Sequence, residues 1–167
     1  MSSSPEFVTQ LVLLTFAGLL LWAAYRDFSS YKIPNRIVAA IAALYPAYAI
    51  AAYPKVDWVG GLTTGGVMLG ICFLLYVKRW TGAGDAKFIA AVGLWAGPGL
   101  TIPFIFAMTL VGGLLSLLVM IRRYFGTLAV DRGSLLTRLL PVLSVQIPYG
   151  VAISAGGLFV AAQLLRP

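Results

Sequence analysis

The chain has 167 residues, 60% of them hydrophobic and only 10% charged, whereas an ordinary soluble domain is about 45–50% apolar and ~25% charged. That balance excludes a soluble enzyme. The absence of histidine and the single cysteine, Cys72, exclude imidazole chemistry, disulfide frameworks, CxxC redox centres and cysteine–histidine zinc sites.

Six apolar segments follow in chain order, each measured against the roughly 20 residues that a spanning helix needs. The first runs over 7–25 and stops at Arg26-Asp27. It has no basic n-region, only Glu6, so it is expected to stay in the mature protein rather than act as a cleaved signal. A short turn containing Ile33-Pro34-Asn35 leads to the second, 37–53, which is closed by Pro54-Lys55-Val56-Asp57. The third covers 58–77 and ends at Lys78-Arg79. The fourth, 85–96, has only nine clean apolar residues, borrows Asp85, Ala86 and Lys87 for its first turn, and stops at Gly97-Pro98-Gly99. The fifth covers 100–121 and ends at Arg122-Arg123. Between it and the last segment, 145–165, lies a stretch mixing Arg132 and Arg138 with Leu135, Leu136, Leu139 and Leu140. It reads as an amphipathic segment along the membrane interface. The expectation is an all-α, polytopic helix bundle with about six transmembrane helices, forming a single domain over 1–167.

Charge orients this bundle. With six crossings the connections at 26–36, 78–87 and 122–144 share one side and hold ten of the twelve basic residues; Lys55 and Arg166 are the other two. The positive-inside rule makes that side cytoplasmic and places both chain ends opposite. The net charge of +7 is then met by anionic lipid headgroups, and no nucleic-acid partner is required. Gly61/Gly65, Gly66/Gly70 and Gly93/Gly97 are read as small-residue pairs that let helices approach closely.

Five carboxylates remain to do chemistry: Glu6, Asp27, Asp57, Asp85 and Asp131. Glu6 and Asp57 fall on the far side, and Asp131 lies among basic residues. Asp27 and Asp85 border apolar segments on the same face, where ionisable groups are costly and tend to be functional. Each also has a plain alternative, Asp27 as an ion-pair partner of Arg26 or Lys32 and Asp85 as a helix N-cap. Gly82-Ala83-Gly84-Asp85 is no phosphate loop, because it follows a membrane helix and lacks GK[ST]. Its glycines permit backbone conformations closed to other residues. Two aspartates brought together cannot both ionise cheaply, so the pair holds one proton. One carboxylate then activates water while the other polarises a carbonyl, which is peptide hydrolysis at the membrane surface. A proton-coupled transporter and a non-enzymatic assembly subunit are the rival readings. The position of both residues at one edge rather than the midplane counts against transport.

These residues resemble the type IV prepilin peptidases, membrane aspartyl proteases of the GxGD class. The likeness rests on Asp27 with Ile33-Pro34-Asn35, on Gly82-Ala83-Gly84-Asp85-Ala86-Lys87 with the run to Trp95, and on Ile147-Pro148-Tyr149-Gly150 opening the last helix. The resemblance implies that Asp27 and Asp85 are catalytic and that Gly82 and Gly84 shape the loop presenting Asp85. Lys87, Ile33, Pro34 and Asn35 would belong to the substrate-binding surroundings, although Lys87, two positions beyond Asp85, would point elsewhere on a regular helix. It implies prepilin or pseudopilin substrates with a basic leader ahead of a hydrophobic helix, cut at the cytoplasmic face of the bacterial inner membrane. Larger relatives carry an insert with two CxxC pairs and N-methylate the product. This chain has one cysteine, so it resembles the short, peptidase-only branch of tight-adherence (Flp) pilus systems. Neither zinc nor S-adenosylmethionine nor any other cofactor is expected, and the pair is expected to close through movement of 78–87.

Overall fold

The computed structural model describes residues 4–128 and 147–166. The described chain is all helical: α1 (Ser4–Ser30), α2 (Asn35–Ala51), α3 (Trp58–Val77), α4 (Ala83–Leu128) and α5 (Tyr149–Leu164). Three stretches are long and apolar enough to cross a membrane, Glu6–Ser30, Trp58–Val77 and Ala83–Arg122; Asn35–Ala51 and Tyr149–Leu164 are shorter apolar helices. Most of the amphipathic segment expected after α4, with Asp131, Arg132 and Arg138, lies outside the described residues.

Two boundaries differ from the sequence reading in an instructive way. The first helix does not stop at Arg26-Asp27 but continues to Ser30, because an end to apolarity is not an end to hydrogen bonding. The chain leaves the helix at Tyr31, whose N–H donates to the Asp27 carbonyl at 2.8 Å and whose φ of 52° is the left-handed turn of a C-terminal cap. Asp27 therefore sits inside the last turns of α1. The expected fourth and fifth segments form one element broken at Gly97, where φ is 54° and ψ is −173°. Pro98 explains the break: its ring disfavours a helical residue before it and it brings no N–H. The conformation Gly97 adopts instead is one that only glycine takes without strain.

The first leg of α4, residues 83–96, is the centre of the bundle. Trp95 stacks on Phe16 of α1 with ring centres 4.0 Å apart, meets Tyr45 edge-on and Tyr48 face-on from α2, and donates its Nε1–H to the Ile41 carbonyl at 3.1 Å. This satisfies the one polar atom of a ring otherwise buried among apolar groups. Gly61 and Gly65 of α3 press against Leu94, and Gly93 of α4 faces Met68, so these glycines do serve helix packing. Gly66, Gly70 and Gly97 do not, since a Cβ at each would meet nothing within 4 Å. A further close seam was not singled out from the sequence: Gly157 of α5 admits Leu20 and Val92, and Gly156 admits Phe104. Large apolar side chains such as Leu21, Phe73, Ile102 and Phe106 stay exposed. Water would penalise that surface, but lipid tails solvate it.

Candidate active site

Asp27 is 5% exposed, an expensive position for a carboxylate. Its Oδ2 accepts a hydrogen bond of 2.6 Å from the Gly150 N–H, 123 residues away and in the first turn of α5. The orphan N–H groups and the dipole of a helix N-terminus suit a carboxylate there. Pro148 is the N-cap of α5 and supplies no N–H; glycine at 150 leaves room for the approach. A Cβ at that position would sit 2.8 Å from the Asp27 carboxylate carbon and 2.6 Å from Cδ1 of Ile33. Among the described residues, Asp27 thus has a main-chain partner and forms no ion pair with Arg26 or Lys32.

Asp85 lies in the first turn of α4. The helix begins at Ala83, so Asp85 is its third residue rather than its N-cap, and the Ala86 N–H bonds to the Gly82 carbonyl at 3.0 Å. Neither Gly82 nor Gly84 has a positive φ, so backbone freedom is not what these glycines provide. They provide space. A Cβ on Gly82 would stand 3.3 Å from Asp85 Oδ2, and one on Gly84 would project into open volume.

Both carboxylates line one open cavity of about 490 Å3, together with Tyr31, Lys32, Ile33, Asn35, Gly82, Gly84, Ile147 and Tyr149. The connections after α1, after α3 and before α5 therefore meet at one end of the bundle. Six residues singled out from the sequence, Asp27, Asp85, Gly82, Gly84, Ile33 and Asn35, are gathered here. The other two are not among the lining residues. Pro34 caps α2 with φ −61° and ψ 130° and turns the chain between Ile33 and Asn35. Lys87 opens instead onto a separate groove between α2 and α3, as its offset from Asp85 requires.

Tyr31, Lys32, Ile147 and Tyr149 line the cavity without having been picked out as site residues. Gly150, visible in the sequence as part of a Pro-Tyr-Gly motif, becomes meaningful only once its partner is known. Chemically, the cavity offers two acidic groups, open main chain at Gly84 and a rim of aromatic and apolar side chains. That combination can hold an extended peptide against a pair of carboxyls.

A family model described as the type IV leader peptidase family matches residues 14–117, a span that includes Asp27, Ile33-Pro34-Asn35 and 82–87. No curated protein and no solved structure gives a match. The chain belongs to the type IV leader peptidase family, a family of membrane-embedded peptidases acting on prepilin-like substrates.

Proposed function

We propose that this member of the leader peptidase family is an aspartyl endopeptidase that removes the short basic leader from prepilin-like proteins at the cytoplasmic face of the inner membrane. The observation that carries the reading is the single cavity shared by Asp27 and Asp85. With one proton between them, the ionised carboxylate takes a proton from water as it attacks the scissile carbonyl carbon. The protonated carboxyl gives its proton to the carbonyl oxygen. Collapse of the tetrahedral intermediate breaks the C–N bond, and the amine leaves with the proton first taken from water. Gly150 holds one oxygen of Asp27 and so fixes the carboxyl for this exchange. Gly84, with no side chain beside it, receives the extended substrate main chain. The carboxyls and water suffice for hydrolysis, and the reading assigns no zinc, no S-adenosylmethionine and no N-methylation to this short, Flp-type chain.

The accompanying topology has six crossings in one domain over 1–167, with the shared cavity on the side that carries ten of the twelve basic residues. The test is cleavage in membranes. The chain is co-expressed with a tagged Flp-type prepilin, comparing wild type with Asp27→Asn and Asp85→Asn at matched protein levels. A shortened product from wild type, lost in both variants, supports the reading. Cleavage that survives either substitution overturns the two-aspartate mechanism. No product from wild type would favour a transporter or assembly role instead.

A further inference from the structure

A second concavity of about 610 Å3 opens beside the catalytic cavity and shares Asn35 with it. Its walls are α2 and α3, which both pack on α4 but scarcely meet each other; α4 is its floor. On α2 its lining residues, Asn35, Val38, Ala39 and Ala42, fall at intervals of three, four and seven from the first. The same intervals recur on α3 from Leu62 to Leu69 and on α4 from Lys87 to Leu94. Three helix faces thus run alongside one another for about two turns, roughly 10 Å. The groove's polar lining residues are Asn35 and Lys87, and Asn35 also lines the catalytic cavity. Otherwise it is apolar and floored by alanine, the composition that lets another helix backbone approach closely inside a membrane.

Resting on the peptidase reading, we infer that this groove docks the first two turns of the substrate's apolar helix while the peptide bond ahead of that helix lies between Asp27 and Asp85. The two concavities adjoin at Asn35, and that adjacency points to the occupant. A chain leaving the catalytic cavity on this side meets a slot that is apolar, helix-lined and directed away from the polar end. A substrate whose apolar helix begins just beyond the cut matches that slot in direction and chemistry. The groove would thereby measure the distance from cut to helix, selecting the bond to be hydrolysed.

Gly66 allows a direct test, because it lines the groove and a Cβ there meets nothing within 4 Å. Gly66→Leu adds bulk to the groove from a position where the new Cβ has free space. Gly113→Leu, equally open but on the far leg of α4, is the control. Two substrates are compared with purified protein: a full prepilin, and a soluble peptide that ends shortly after the cut and has no apolar helix. The ratio of kcat/KM for the full substrate to that for the peptide should fall at least about tenfold in Gly66→Leu, through KM, and should hold in Gly113→Leu. With Asp85→Asn to trap substrate and the buried Cys72 changed to Ala, Gly66→Cys should crosslink to cysteines placed in the first two turns of the substrate helix. Gly113→Cys should not. An unchanged ratio, or equal slowing of both substrates, together with failure to crosslink, overturns the groove assignment while leaving the peptidase intact. Wild-type protein that cuts neither substrate overturns the peptidase reading and this inference with it.

Discussion

Replacing Gly150 by alanine puts one methyl group between α5 and the Asp27 carboxyl. The new Cβ would lie 2.8 Å from Cγ and Oδ2 of Asp27 and 2.6 Å from Cδ1 of Ile33, where ordinary contact starts at 3.4 Å. Something must give by about 0.6–0.8 Å in a site held from two helices and the turn before α2. Moving α5 away stretches the 2.6 Å bond from the Gly150 N–H, and hydrogen bonds to a charged partner are worth about 1.5–3 kcal/mol. Rotating Asp27 away displaces, on the proposed mechanism, a reacting group by a similar distance, which costs roughly tenfold to a hundredfold in rate. The expected result is a kcat loss of that size with a stability loss of ~1–3 kcal/mol, read as cleavage kinetics and thermal unfolding of the purified protein. Ile33→Val, which removes Cδ1, should recover part of the stability in the double variant without recovering the rate, because the overlap with Asp27 remains. A Gly150→Ala protein that cuts at the wild-type rate would refute the claim that this glycine sets the carboxyl.

Gly97→Ala should destabilise the protein by about 1–3 kcal/mol although its Cβ has free space, because the cost is conformational rather than steric. Asp57→Ala removes the side chain that accepts from the Gly60 N–H at 2.8 Å and caps α3. Thermal unfolding should show a loss of about 0.5–2 kcal/mol, with cleavage retained because Asp57 is remote from the cavity. The dependence of kcat/KM on pH should be bell-shaped. On the acid side both carboxyls are protonated and no base remains; on the alkaline side both are ionised and no acid remains. A profile that only rises or only falls would contradict the shared proton.

What the sequence disclosed and what it hid separate along physical lines. Apolar runs and charge breaks locate membrane-compatible helices, because both report on solvent. They do not locate helix ends, and so Asp27 emerged inside α1 rather than in the turn after it. Gly97-Pro98 announced a break through local sterics alone. The partnership of Asp27 with Gly150 spans 123 residues and is a property of the fold, invisible to any local pattern. Glycine spacing was a similarly incomplete guide: Gly61 and Gly65 face a neighbouring helix, while Gly66, at the same spacing from Gly70, faces open space. Lys87 shows the converse, since its divergence from Asp85 follows from helical geometry and could be read beforehand.

The lengths of the elements that hold the cavity carry a last consequence. At 1.5 Å per residue, α2 with 17 residues is about 26 Å long, α5 with 16 about 24 Å, and the leg of α4 before Gly97 about 21 Å. A hydrocarbon layer is roughly 30 Å thick, and α1 with 27 residues exceeds it. Apart from α1, the elements that line the cavity are thus shorter than such a layer, a hydrophobic mismatch that lipids would relieve by thinning around them. Thinning would bring bulk water down to the carboxyls and make acyl-chain length a determinant of turnover, with short-chain lipids supporting faster cleavage than long-chain ones.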